Sequence, residues 1–139
     1  MLKGLSMTDA TSSSKRIVEQ FWQAMQSNDF RAAAAWLHDD YVLDYPQSGE
    51  RIRGRDNFAA INMHYPAAGR WQFTINRLMA EDNEVVSDVT VTDGQITARA
   101  ITFSTVRDGK ISHQVEYWPD PFEAPAWRAQ WVEPAEKTP

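Results

Sequence analysis

Two carboxylates stand out as groups that could move protons. Asp88 lies within Val86-Ser87-Asp88-Val89-Thr90, and Glu116 lies in the last strand-like run before the chain turns Pro-rich. Two carboxyls sharing a dry pocket cannot both ionise cheaply, so their pKa values separate. One can then act as base and the other as acid, and their titration belongs to the pair. Asp44, between Leu43 and Tyr45, is a third candidate, and His113, sharing a strand side with Ile111 and Val115, is a fourth. Strand parity gives the acids a second reading. Asp88 alternates in step with Thr90 and Thr92, and Glu116 with Ser112 and Gln114. Both acids then face solvent or a dimer seam unless a bulge re-aims them. Asp44 can equally face solvent on a short edge strand.

Other chemistries are excluded. The chain has no Cys, so disulfides, thiolate zinc sites and cysteine nucleophiles are out. His38, His64 and His113 lie far apart without metal-ligand spacing, so no metal site is expected. Gly49 and Gly54 are not followed by the Lys-Ser/Thr of a phosphate loop, and no Ser sits in a nucleophile-elbow pattern. No cofactor is implied. With 14 Lys and Arg against 19 Asp and Glu, the net charge of -5 and the lack of a basic run argue against nucleic acid and anionic membrane. No apolar stretch approaches the ~20 residues of a spanning helix. The expected location is cytoplasmic.

The elements that must position these groups fit one domain in 139 residues. Residues 1–13 read as a disordered polar leader, with Met7 as an alternative start. From Ser14 to Ser27, Ile17, Phe21 and Met25 recur at helical spacing, widened by Val18 and Trp22. Asp29 can cap a second helix, Phe30 to Leu37. A short strand, Tyr41 to Tyr45, ends at Pro46, and Gln47 to Glu50 is turn chemistry. A third helix runs from Asp56, its expected cap, to about Tyr65. From Trp71 the period becomes two. Four antiparallel strands follow, with hairpin signals at Asp93-Gly94 and Asp108-Gly109. Helices first and a meander afterwards indicate an α+β fold. The tail, residues 123–139, is expected to pack on the domain and pin itself through its aromatics.

Six Trp, six Phe and four Tyr make the chain 12% aromatic, which suits either bulky core filler or an aromatic-lined cavity. On the second reading Trp22, Trp71 and Trp118 line the pocket.

The order of elements resembles the nuclear transport factor 2-like superfamily over residues 14–122, in particular its SnoaL-like, polyketide cyclase-like branch. The resemblance is carried by Val18-Glu19-Gln20-Phe21-Trp22, by Pro46-Gln47-Ser48-Gly49-Glu50 leading to Ile52-Arg53-Gly54-Arg55, and by Asp108-Gly109-Lys110-Ile111 with Glu116-Tyr117-Trp118-Pro119-Asp120-Pro121-Phe122. It implies a cone-shaped, curved antiparallel sheet wrapped around three N-terminal helices, with a pocket between them. It also implies a homodimer through the outer sheet face.

More distantly, Asp88 and Glu116 resemble the acidic pair of limonene-epoxide hydrolase, and Tyr45 and Gln47 the residues that hold its water. Where that family has an Arg two residues before its first acid, this chain has Val86. Arg99 on the next strand is the expected substitute. Asp44 lies where ketosteroid isomerases carry their base, but Phe21 and Trp22 stand where a hydroxyl donor would be needed. Some SnoaL-like cyclases use a His near the end of the sheet, as His113 would be.

Three functions follow. The first is a cofactor-free acid–base enzyme on a small apolar substrate, by isomerase, cyclase, dehydratase or epoxide hydrolase chemistry. The second is a binding protein without turnover, and the third a dimeric scaffold with no open pocket.

Overall fold

The structure is a computed structural model that describes residues 7–136, with side chains from Asp9 onward. Three helices line a six-stranded curved sheet that does not close, two preceding its first strand and one falling between its second and third. Helix α1 is Met7–Gln26, α2 is Phe30–Ala34 and α3 is Arg55–His64. The strands are β1 (Leu37–Tyr45), β2 (Glu50–Arg53), β3 (Gln72–Glu81), β4 (Glu84–Thr92), β5 (Thr97–Arg107) and β6 (Lys110–Tyr117). Their order across the sheet is β2-β1-β6-β5-β4-β3.

Helix α1 begins at Met7 rather than Ser14, so the second half of the expected leader is helical; residues 1–6 lie outside the described residues. Its apolar stripe is buried, with Val18, Phe21, Trp22 and Met25 between 0% and 4% exposed. Asp29 caps α2 as expected, its carboxylate accepting from the Ala32 N–H at 3.2 Å. That helix stops at Ala34, and Leu37, fully buried, already belongs to β1. The cap of α3 is Gly54 at φ 88°, not Asp56; its N–H donates to the Tyr41 carbonyl at 2.8 Å. A left-handed φ at that point admits glycine without strain.

The meander β3 to β6 is antiparallel throughout, whereas β1 joins β6 in parallel. Asp108-Gly109 forms the expected two-residue hairpin, both residues at positive φ, with Arg107 paired to Lys110. The loop at Asp93-Gly94 is longer, because Thr92 pairs with Thr97. The Asp93 carboxylate accepts from the N–H groups of Ala68, Gln95 and Ile96, which fill the widened turn and pull its pKa down to about 2.

Two irregularities decide which side chains face the helices. In β6, His113 pairs with Thr105 but Ile111 pairs with Val106, leaving Ser112 as an extra residue. Such a bulge inverts the alternation beyond it. Ile111, Gln114 and Glu116 therefore share the inner face, while His113, Val115 and Tyr117 share the outer one. In β3 the shift falls at Asn76, between Ile75 (paired with Val89) and Arg77 (paired with Asp88). It sends Phe73 and Ile75 inward and Arg77 outward.

The inner face carries an apolar core and a polar stripe. Phe21, Trp22 and Phe58 pack with Tyr41 and Phe73 at ring separations of 5.2 to 5.9 Å. Alongside them Ser87, Thr102, Ser104 and Gln114 are almost wholly buried. Tyr41 donates to Gln114 Oε1 at 2.6 Å, Gln114 Nε2 donates to Ser104 Oγ at 3.0 Å, and the Trp22 indole N–H donates to Ser87 Oγ at 3.1 Å. Each of these groups would be costly to bury alone. The tail does not pin itself as expected: Phe122, Trp127 and Trp131 are 80%, 74% and 71% exposed.

Candidate active site

A cavity of about 680 Å³ lies between the helices and the inner face of the sheet, partly open to solvent. Helix α1 contributes Phe21, Trp22 and Met25, and α3 contributes Phe58, Ile61 and Asn62. Tyr45, Gln47 and Glu50 come from the end of β1 and the turn into β2. Trp71, Phe73, Val91 and Ala98 form the wall along the meander, and Glu116, Trp118 and Asp120 close the far side. A second, smaller depression of about 210 Å³ between α2 and α3, lined by Arg31, Arg55 and Asp56, has no buried ionisable group.

Glu116 is the buried carboxyl of this cavity, at 7% exposure. The Ser112 bulge places it there, against the parity of its own strand. Thr102 Oγ1 donates to its Oε2 at 2.6 Å, and the Trp118 indole N–H donates to its Oε1 at 3.0 Å. Loss of hydration raises its pKa above the usual carboxylate range, and the two hydrogen bonds only partly oppose this. Trp118 is fixed twice, since its backbone N–H also donates to Gln47 Oε1 at 2.6 Å. Tyr45 is half-buried in the wall. Burial foremost, then the charge of Glu116, raises its phenol pKa, so the hydroxyl stays protonated across the neutral range. Tyr41, fully buried behind it, is raised for the same reasons.

The other expected acids are elsewhere. Asp88 is on the outer face, where Arg99 grips it at 2.6 and 2.8 Å and Arg77 at 2.9 and 3.1 Å, with Asn76 at 3.4 Å. Hydrogen bonds from Arg99 first, then Arg77 and Asn76, outweigh burial and hold its carboxyl well below the usual range. Arg99 thus meets Asp88 as expected, but in a structural ion cluster rather than in the cavity. Asp44 is also on the outer face, accepting from Arg51 at 2.6 and 3.0 Å and contacting His113 Nε2 at 3.0 Å. Arg51, then His113, pulls Asp44 down to about 2. Asp88, Asp44, His113 and Arg99 therefore do not join Glu116. Tyr45, Gln47, Trp22, Trp71 and Trp118 do line its cavity.

Thr102 was not singled out from sequence. Its signal is positional: it sits directly across from Glu116 in the β5–β6 register. Asp120, Glu50, Asn62 and Tyr65 also line the cavity. Among the described residues, no group of three or more His, Asp or Glu side chains is placed to hold a metal ion.

An α+β roll with helices packed on a curved, unclosed sheet is the fold of a known class. The family model of the SnoaL-like domain matches residues 18–114, and the chain belongs to that family. A protein from Kribbella flavida DSM 17836, whose description as a ketosteroid isomerase is itself provisional, is 29% identical. The match covers 91% of this chain and 93% of that one, with a TM-score of 0.83. An NTF-2 like protein of unknown function from Burkholderia xenovorans LB400 is 36% identical over 90% of this chain and 97% of that one, at a TM-score of 0.73. An LEH-like epoxide hydrolase from M. tuberculosis is 26% identical over 78% and 84% of the two chains, at 0.65. No curated protein matches the sequence. Among the described residues, no helix is long and apolar enough to cross a membrane.

Proposed function

We propose that this protein is a cofactor-independent acid–base catalyst for a small, largely apolar molecule, with Glu116 as the proton carrier. The observation that carries the reading is that, among the described residues, a single buried carboxyl faces the cavity, held by two neutral donors and by no cation. A desolvated carboxylate with a raised pKa is a stronger base than a wet one and works closer to neutral pH. The Tyr45 hydroxyl, kept protonated in the same wall, can donate to an oxygen that gains negative charge as the proton leaves. Proton abstraction beside a carbonyl, with isomerisation or elimination to follow, fits this pair better than the two-carboxylate epoxide route. That route needs a second acid held dry beside the first; Asp88 stands on the opposite face, and Glu50 and Asp120 are exposed to water.

The test uses a panel of apolar ketones, hydroxyketones and epoxides, followed by mass change and by deuterium uptake from D2O. The wild-type chain should convert at least one, and Glu116→Gln should slow it about 10²- to 10⁴-fold while remaining folded. A folded Glu116→Gln protein that turns over at the wild-type rate would overturn the assignment.

The lack of a second buried acid in the cavity among the described residues, where Glu50 and Asp120 are exposed, favours one alternative, a binding protein without turnover. Native mass spectrometry of the purified chain separates the two: a retained unaltered metabolite and no conversion anywhere in the panel would support binding. A scaffold filled by its own side chains is disfavoured by the volume of the hollow. The homodimer expected through the outer sheet face is supported by exposed Met79, Phe103 and Tyr117 there.

A further inference from the structure

The charges around the cavity are as uneven as its walls are aromatic. Glu116 lies inside, and the exposed carboxylates of Glu50 and Asp120 stand at its opening. Arg51 is the cationic side chain among the lining residues, and its guanidinium is committed to Asp44 through two hydrogen bonds on the outer face. Among the described residues, no Lys or His lines the cavity. Six of the lining rings, those of Trp22, Tyr45, Tyr65, Trp71, Phe73 and Trp118, carry electron-rich faces. Two of them are indoles or phenols held edge to face, Tyr65 against Trp71 at 5.8 Å.

An aromatic box attracts a cation through the ring quadrupoles, more strongly where water is excluded. Carboxylates at its opening add to that field and repel anions. We infer that the ligand is a lipophilic cation, an amine or quaternary ammonium on an apolar body. Its charge sits toward Glu50 and Asp120, and its apolar part reaches inward toward Glu116. This rests on the cavity being the substrate site, as proposed above, but not on Glu116 being catalytic. It also explains why the opening of an apolar hollow carries acids. A neutral ligand would gain nothing from them, and an anionic one would be driven off.

Three probes that share a ring and differ in charge test it: phenyltrimethylammonium, tert-butylbenzene and benzenesulfonate, titrated by calorimetry at low ionic strength. The cation should bind at least about tenfold more tightly than its uncharged carbon analogue, and the sulfonate should not bind measurably. The double variant Glu50→Gln/Asp120→Asn should keep the affinity for tert-butylbenzene and lose several-fold of the preference for the cation. Both positions are exposed, so the fold should survive. Equal or tighter binding of the neutral probe would overturn the inference, as would an undiminished preference in the double variant. Failure of all three probes would overturn it together with the reading of the cavity as a site. Selective binding of the cation by a protein whose Glu116→Gln variant loses no turnover would sink the catalytic reading alone.

Discussion

Glu116 on β6 and Asp88 on β4 are both buried carboxylates of one sheet, separated by a single strand, yet their surroundings push them in opposite directions. Asp88 faces outward and lies under two guanidinium groups, which keep it ionised to low pH. Glu116 faces inward among rings, with a hydroxyl and an indole N–H as its partners, and burial favours its neutral form. Burial alone therefore says little about what an acid is for. The charge of its partners decides. A carboxylate neutralised by arginine is a clamp with no proton to exchange near neutral pH, whereas one held by neutral donors remains able to take and return a proton.

Stability measurements can break this contrast. Asp88→Asn should lower the unfolding free energy by about 2 kcal/mol at pH 7, since charge-assisted hydrogen bonds are lost on the outer face. The folded pKa of Asp88 lies below its unfolded value of roughly 3.9. Its contribution is thus present above that unfolded value and disappears as pH falls through the folded one. Denaturant titrations of wild type and variant should accordingly converge as the solution is acidified; a gap that persists at low pH would show that packing, not charge, is at stake.

Glu116→Gln should behave in the reverse sense and by less. The folded pKa of Glu116 is raised, so the favourable contribution of its protonated form is complete below the unfolded pKa and is lost as pH rises through the folded one. Removing the charge should raise the melting temperature at pH 7 to 8 and leave it nearly unchanged near pH 4. A variant that melts lower at pH 8 would mean that Glu116 is a structural clamp like Asp88. The smallest effect is expected at Asp44, whose partners Arg51 and His113 are about half exposed. Asp44→Asn should cost under about 1 kcal/mol, and salt near 0.5 M should erase most of that difference.

Much of the architecture was legible because it rests on local rules. The stripe Val18, Phe21, Trp22 and Met25, the Asp29 cap and the Asp108-Gly109 turn each announce their element through side chains. The aromatic residues expected at the cavity, Trp22, Trp71 and Trp118, line it with Tyr45 and Gln47. The acids were less legible. Simple alternation puts Glu116 outside and groups His113 with Ile111; one unpaired residue at Ser112 reverses both. A bulge is a property of two paired strands, and Ser112 carries no side-chain signal for it. The short strand β2 was hidden for a related reason, since Glu50 closes the turn chemistry that begins at Gln47 and Arg51 to Arg53 become a strand only when β1 supplies their partner. The start of α1 at Met7 and the exposed tail aromatics likewise depend on contacts, or on their lack, that composition does not encode.

The extra residue at Ser112 also sets a rule for descent. Deleting that one codon would only heal the ladder, joining the Ile111–Val106 pair directly to His113–Thr105 with Gln114 and Glu116 still inside; pairing the same residues in step, with none left over, would instead turn Gln114 and Glu116 to the convex side and bring Val115 and Tyr117 into the hollow. Divergence within such a lineage can therefore switch an acidic interior for a greasy one by changing register, with no change of length. Two chains with equally long strands here could differ wholly in what they hold, according to whether one residue is left out of the pairing.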